Sequence, residues 1–284
     1  MSKDLILDLG RYKHNCTKRP LIMGILNITP DSFSHDGLYG SRMSAIIKKA
    51  MKMEEDGADI IDIGGESSRP FSKPILIKEE ILRIIPVIKK IIKKIHIPIS
   101  VDTYKPQVAK EALDNGAAII NDITALSYDV NMAKIIKEFN ATVILMHMQG
   151  NPKTMQNKPK YKSVINDIYL YLQKSINMAN SFGIKSKKII IDPGIGFGKT
   201  VVDNLRIIKK LGTFKKLNQP ILIGISRKSF IGKILNIDVK KRLVGTIASE
   251  CIAIINGANI LRVHDVKETK QMIDICQAIS NSQI

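Results

Sequence analysis

The sequence predicts a closed (β/α)8 TIM barrel, and three observations carry that expectation. Short apolar runs without polar alternation recur along the 284 residues, as strands buried on both faces of a parallel sheet do. Helical stretches separate successive runs, so the connections are crossovers rather than hairpins. Each run then ends, at its carboxyl side, in polar residues that no buried strand needs. About eight strand and helix units is the count of a closed barrel. An open doubly wound sheet would gather its chemistry at one switch point instead of on every strand.

The elements follow in order. Residues 21–26, 60–63, 97–101, 118–120, 141–146, 189–191, 221–225 and 260–263 read as the strands. Residues 44–56, 78–94, 106–115, 131–139, 164–181, 202–211, 242–256 and 267–279 carry apolar residues at helix spacing. Several of these stop at glycine, as with Asp56-Gly57, Asn115-Gly116, Phe182-Gly183 and Asn256-Gly257, where a helix commonly ends in a left-handed residue. Residues 1–20 precede the first strand as a leader that caps the barrel floor, and the whole of 1–284 reads as one domain. A barrel needs roughly 250 residues, and no low-complexity linker interrupts the chain.

The strand ends are Asn27, Gly64-Gly65-Glu66, Asp102, Asn121-Asp122, Met146-His147, Asp192, Ser226-Arg227-Lys228 and Arg262-Val263-His264. In a parallel barrel all of these converge on one mouth, where active sites of that architecture sit. Two connections at that mouth are long and polar: residues 27–37, with Asp31 and Phe33, and Glu66-Ser67-Ser68-Arg69-Pro70. Such loops tend to bind or cover a ligand.

Composition narrows the function classes. The formal net charge is +18, but the lysines lie scattered over helical faces instead of clustering with aromatics, so a solvated basic surface is expected and no nucleic-acid partner. A positive field would still speed capture of an anionic small substrate. No apolar stretch approaches the ~20 residues that span a bilayer, and the first residues lack an export-signal profile. Cys16, Cys251 and Cys276 are odd in number and widely spaced, which suits a reducing cytoplasm and shows no metal-like pairing.

Asp192-Pro193-Gly194-Ile195-Gly196-Phe197-Gly198-Lys199 resembles a phosphate loop but fails its pattern at Pro193, and fails the dinucleotide fingerprint at Lys199. It reads as a glycine turn that lets backbone approach a ligand behind Asp192. Asp102 and Asp192 could each be a helix cap. As carboxylates in a pocket with Asn121 and Lys228, they suit a donor-rich heterocycle and a developing positive charge. Lys228 and Arg262 end strongly apolar runs, so their stems are expected to be buried against the mouth.

Taken together, residues 27–34, 62–70, 100–102, 120–122, 146–148, 192–199, 224–229 and 262–265 resemble the dihydropteroate synthase family, in order and nearly from end to end of the chain. The resemblance implies condensation of 6-hydroxymethyl-7,8-dihydropterin diphosphate with 4-aminobenzoate. It implies that Asp102, Asn121, Met146, Asp192, Lys228 and Arg262 hold the pterin, and that Asn27, Arg69, Arg262 and His264 hold the diphosphate. Ser67, Ser68, Pro70, Phe197 and Ser229 would form the 4-aminobenzoate site, with Asp31 and Phe33 on the first loop. It further implies Mg2+ ligated by Asn27, catalytic roles for Asp102, Asp192, Lys228 and Arg262, and a homodimer through helices near the C-terminus. Ser68 stands where the family commonly has threonine, and Phe71 where glycine commonly follows the Arg-Pro pair. A folate-binding methyltransferase domain shares the barrel and part of the pterin pocket, but should lack the two anion-handling loops.

Overall fold

The computed structural model describes residues 5–10, 12–28, 39–67 and 72–282, except the side chains of 39–42. The chain begins with an antiparallel hairpin, β1 (Ile6–Leu9) and β2 (Tyr12–Asn15). Eight parallel strands then follow: β3 (Leu21–Asn27), β4 (Ile60–Gly64), β5 (Ile99–Asp102), β6 (Ile119–Asp122), β7 (Thr142–Met146), β8 (Ile189–Asp192), β9 (Leu222–Ile223) and β10 (Ile260–Val263). Neighbours in sequence pair in space from β3 to β8, and β10 pairs with both β3 and β9. A bridge between Ile191 and Ile221 joins β8 to the run-in of β9, so the sheet closes on itself.

Helices α1 (Tyr39–Glu55), α2 (Ile77–Ile91), α3 (Pro106–Asp114), α4 (Asn131–Glu138), α5 (Val164–Ser181), α6 (Val201–Lys209), α7 (Ser229–Leu235), α8 (Leu243–Ile255) and α9 (Val266–Asn281) connect the strands and complete the outer layer. Local chemistry sets their ends. Pro106 occupies the first turn of α3, where its missing N–H costs nothing. Thr200 and Asp203 form a reciprocal capping box on α6, satisfying two donors the helix start leaves orphaned. Gly57 (φ +101°) and Gly257 (φ +108°) take up the left-handed conformation just beyond α1 and α8, as their positions in the sequence predicted. The α2 helix continues through Pro86 because Ile84, Ile85, Val87 and Ile88 on either side are buried, and their packing outweighs the lost hydrogen bond. No helix among the described residues is long and apolar enough to cross a membrane.

Each barrel strand has two buried faces. Outward residues such as Ile22, Ile61, Val101, Val143, Ile191 and Leu261 pack against the helices. Inward residues Leu21, Met23, Ile60, Ile119, Ile144, Ile190 and Ile260 form a separate core inside the barrel, to which Leu7 and Leu9 of the hairpin belong. The hairpin therefore plugs the amino-terminal end. Its polar backbone is also tied down there, with the Thr142 hydroxyl donating to the Asp8 carbonyl at 2.7 Å and the buried Lys188 reaching the Asp8 carboxylate at 3.0 Å.

Two elements differ from the sequence reading. Residues 1–20 were expected as a leader capping the floor with no hairpin assigned, because strands of four residues with little alternation do not signal one. The α7 helix was unassigned because Gly232 interrupts it, a poor helix former. Gly232 leaves the space that the Arg242 guanidinium occupies, and a Cβ there would make that side chain shift. A groove of about 920 Å³ between the hairpin and α9 opens at the floor, lined by residues such as Arg19, Gln219 and Asn259 that precede the strands.

Candidate active site

Following each strand upward, the inward face changes from apolar to polar. On β4, Ile60 gives way to Asp62; on β6, Ile119 to Asn121; on β8, Ile190 to Asp192; on β10, Ile260 to Arg262. On β5, Ile99 and Val101 face the helices, which leaves Ser100 and Asp102 facing inward. Strand register then aligns Asn27, Gly64, Asp102 and Asn121 as successive partners. Met146 and Asp192 form another pair.

The centre of the mouth is an ion cluster. Arg262 donates from Nε to Asp62 Oδ2 at 2.6 Å and from Nη2 to Asp102 Oδ2 at 2.8 Å. Asn121 Nδ2 donates to the same Asp62 oxygen at 3.2 Å. Among the described residues, Asp62 Oδ1 and Ser100 Oγ are buried without a partner, an arrangement that costs free energy until a donor arrives. Asp192 accepts from the Gly194 N–H at 2.7 Å. Lys228 Nζ stands 4.2 Å from the centroid of the Phe197 ring, within cation–π range. Phe197 shares a small apolar cluster with Met146, Met148, Met155 and Ile123.

Burial dominates the titration of this cluster. It pushes Asp102 up to about 7, against the pull of Arg262, while the neighbouring Asp62 adds to the rise. It pushes Asp192 up as well, opposed by the Gly194 N–H and Lys228. Lys228 is driven down to about 8 by burial and by Arg262, with Asp192 and Asp102 holding it up. Although burial works against its charge, Arg262 is held above the ordinary arginine value by Asp62 and Asp102. His264 is pushed down to about 4 by burial and by Arg262 and Arg227, and its Nδ1 lies 3.0 Å from the Ser226 hydroxyl. At neutral pH it is therefore a neutral hydrogen-bonding group rather than a cation.

The remaining sequence-predicted residues lie around this cluster. Asn27 closes β3 beside Gly64 and is exposed. Ser229 is the first residue of α7. Ser67 is described and exposed; Ser68, Arg69, Pro70 and Phe71, with Asp31 and Phe33, lie outside the described residues. The second loop's flanks are tied together: Glu66 Oε2 accepts from the Ile75 N–H at 2.9 Å and from Lys105 Nζ at 2.6 Å, and Lys105 also reaches buried Glu80 at 2.6 Å. Two participants received no role from sequence. Asp62 sits inside an apolar run, yet shares the inward parity of Asp102. Lys199 ends the glycine turn, and its amine is buried beside His147.

The fold and this buried cluster define the class: an α/β-barrel enzyme whose carboxyl-end mouth presents carboxylates, an amide and two cations to one ligand. Residues 23–264 match the model of the family described as pterin binding enzyme. A dihydropteroate synthase of Escherichia coli strain K12 is 45% identical over 259 residues, covering 91% of each chain. One from Synechocystis is 42% identical over 274 residues, covering 96% of this chain and 94% of the other. Among solved structures, the Yersinia pestis dihydropteroate synthase in a sulfonamide drug complex superposes with a TM-score of 0.91 at 38% identity, covering 98% of this chain and all of that one. The Xanthomonas albilineans dihydropteroate synthase with 4-aminobenzoic acid gives 0.90 at 35% identity, covering 99% of this chain and all of that one. The chain belongs to the dihydropteroate synthase family of pterin-binding transferases.

Proposed function

We propose that this chain joins 6-hydroxymethyl-7,8-dihydropterin diphosphate to 4-aminobenzoate, releasing pyrophosphate and forming 7,8-dihydropteroate for folate synthesis. The observation that carries the reading is the set of buried Asp62, Asp102, Asn121 and Asp192 with half-buried Lys228 and Arg262 at the carboxyl ends of the strands. It supplies both acceptors and donors for the edges of a nitrogen heterocycle, and the family's Xanthomonas albilineans structure in complex with 7,8-dihydropteroate superposes with a TM-score of 0.87. The test is pyrophosphate release from the pterin diphosphate with and without 4-aminobenzoate. Release that depends on both substrates supports the assignment; none with either would overturn it.

The proposed roles combine the charge and position of the described residues with the family resemblance. Asp102, Asn121 and Asp192 would take the pterin's donor edge, with Lys228 and Arg262 on its acceptors and Met146 as apolar wall. Breaking the C–O bond to diphosphate leaves a cation delocalised over the pterin, which the Asp102 and Asp192 carboxylates stabilise. The 4-aminobenzoate nitrogen then forms the new C–N bond and loses a proton. Arg262 and Arg69 would offset the charge of the leaving diphosphate, with His264 and Asn27 as hydrogen-bonding neighbours. Phe197, Ser229, Ser67, Ser68 and Pro70 would line the 4-aminobenzoate site, with Asp31 and Phe33 on the first loop.

Mg2+ fits this mouth in a limited way. Among the described residues no group of three or more His, Cys, Asp or Glu side chains could hold a metal. Asn27 offers a single exposed amide oxygen, and the ion commonly takes few protein ligands and several substrate phosphate oxygens. Asn27 would hold it, and the ion would supply charge neutralisation at the diphosphate.

A homodimer through the C-terminal helices is supported by large apolar side chains left exposed on α7, α8 and α9, among them Leu235, Val244, Ile252, Ile255, Ile275 and Ile279. Large apolar side chains exposed on neighbouring elements favour a protein partner. A reducing cytoplasm suits Cys16, Cys251 and Cys276, all free thiols.

A further inference from the structure

Lys199 is only 4% exposed, yet its amine rests on neutral acceptors. Its Nζ lies 2.9 Å from the Phe197 carbonyl, 3.3 Å from the His147 carbonyl and 3.0 Å from His147 Nδ1. The imidazole is neutral, since burial and Lys199 itself push its pKa down to about 2. A buried ammonium without a contacting carboxylate is costly to desolvate, and burial pushes Lys199 down to about 7. An apolar side chain of similar length would fill the same space without that cost. What the amine adds is a link between two strand ends.

One end is the start of the connection after β7, where His147 follows Met146. The other is the glycine turn after β8, which carries Phe197. These backbones touch: a Cβ on Gly194 would collide with the His147 carbonyl oxygen, and one on Gly198 would come within 2.9 Å of Gln149. Three successive carbonyls of the turn are each held by one side chain. Gln156 donates to Gly196 at 2.7 Å, Lys199 to Phe197 at 2.9 Å, and the Tyr161 hydroxyl to Gly198 at 2.7 Å. Gln156 and Tyr161 brace the turn from the long connection outside it. Lys199 reaches from the turn to His147 at the end of β7, and the carbonyl it holds on the turn belongs to Phe197, the residue whose ring stands beneath Lys228.

We propose that Lys199 is a positioning residue for the second substrate: by tying the Phe197 carbonyl to His147, it fixes the height of the Phe197 ring and so the wall against which the aminobenzoate ring lies. This rests on the reading above in which Phe197 lines that site. It makes Lys199 a residue that acts through another, touching neither substrate.

The test uses the full-length enzyme with steady-state kinetics and calorimetry on Lys199→Met, Lys199→Gln, Phe197→Ala and the double variant Phe197→Ala/Lys199→Met. Lys199→Met should raise KM for 4-aminobenzoate about tenfold, the scale of a modest displacement of a positioning group, while the Kd for pterin diphosphate stays within about twofold. Lys199→Gln retains a donor and should recover part of the loss. Once Phe197 is alanine, adding Lys199→Met should change KM for 4-aminobenzoate no further, a non-additivity that general loosening of the fold does not produce. If Phe197→Ala raises KM for 4-aminobenzoate and Lys199→Met does not, the role of Lys199 is overturned while the site assignment stands. If Phe197→Ala itself leaves that KM unchanged, the site assignment fails and takes the proposal with it. Equal loss of affinity for both substrates in Lys199→Met would reduce the residue to a structural one. Should Lys199→Met not fold, Lys199→Gln carries the same comparison, alone and with Phe197→Ala.

Discussion

Arg262 and Asp62 are joined across the intervening strand β3: Nε of the guanidinium lies 2.6 Å from Oδ2 of a carboxylate with no exposed surface, 200 residues away in sequence. The same guanidinium holds Asp102, so one cation is shared by two carboxylates, and removing either changes how the other is held. Asp62→Ala should cost about 3–5 kcal/mol of stability, because it leaves part of a buried charge uncompensated. Asp62→Asn, which keeps the shape, should cost less stability but still free Arg262 to shift and lower turnover. Urea unfolding and steady-state rates on both variants check this. Two variants as stable and as active as the parent would show that Asp62 is a passenger.

Asp192 is read as a pterin acceptor with the Gly194 N–H already on one of its oxygens. Asp192→Asn removes charge-assisted hydrogen bonds and part of the cation's stabilisation, so pterin affinity and rate should fall by roughly tenfold to a thousandfold. Aminobenzoate recognition should suffer less. Calorimetry with pterin diphosphate decides it; unchanged affinity together with unchanged turnover would leave Asp192 as only a turn-forming residue.

The pH dependence of kcat/KM for the pterin diphosphate should be a narrow bell. The proposed site needs Asp102 as the anion and Lys228 as the cation. Burial raises Asp102 to about 7, so activity climbs as pH rises through that value. Burial and Arg262 lower Lys228 to about 8, so activity declines as pH rises through that value. Because the two groups influence one another, the limbs report the pair rather than either residue alone. Asp102→Asn should flatten the acid limb in the activity that remains. A flat profile across about pH 6–9 in the parent enzyme would rule out this assignment.

How far this site was legible from sequence depended on distance along the chain. The eight strands stood out because burial on both faces makes each an unbroken apolar run, and their polar ends named Asp102, Asn121, Asp192, Lys228 and Arg262 as residues sharing one mouth. Asp62 did not stand out, since its partners Asn121 and Arg262 are 59 and 200 positions away, the first brought to it through β5 and the second only by the pairing of the last strand with the first. Lys199 was noticed only as the residue that breaks a nucleotide fingerprint. Its burial depends on the close backbone contact of two loops, which no local pattern encodes. The hairpin and α7 were missed for local reasons: strands of four residues with little alternation, and a glycine inside a helix of only seven residues.

Turnover should require a divalent cation. The fixed cations near the diphosphate position are few, and His264 is neutral at working pH. Excess chelator should therefore arrest pyrophosphate release and added Mg2+ should restore it, while the fold, followed by circular dichroism, is untouched. Full turnover in chelator would sink the idea.

The two-residue strand β9 makes the barrel's circumference uneven. Its ladder to β10 covers only Leu222 and Ile223, and its link to β8 is the Ile191–Ile221 bridge with the Ile191 N–H on the Pro220 carbonyl at 3.0 Å. Above that point side chains replace backbone: Arg227 pairs with Asp265, and Ser226 with His264. A cylinder with one thin stave opens along it. Amide hydrogens near Ile191 and Ile223 should exchange faster than those of β4 and β5, by sub-global opening well short of complete unfolding. Since that stave leads directly into Lys228 and Ser229, each such opening would withdraw one wall of the mouth while the carboxylates on β5 and β8 keep their places.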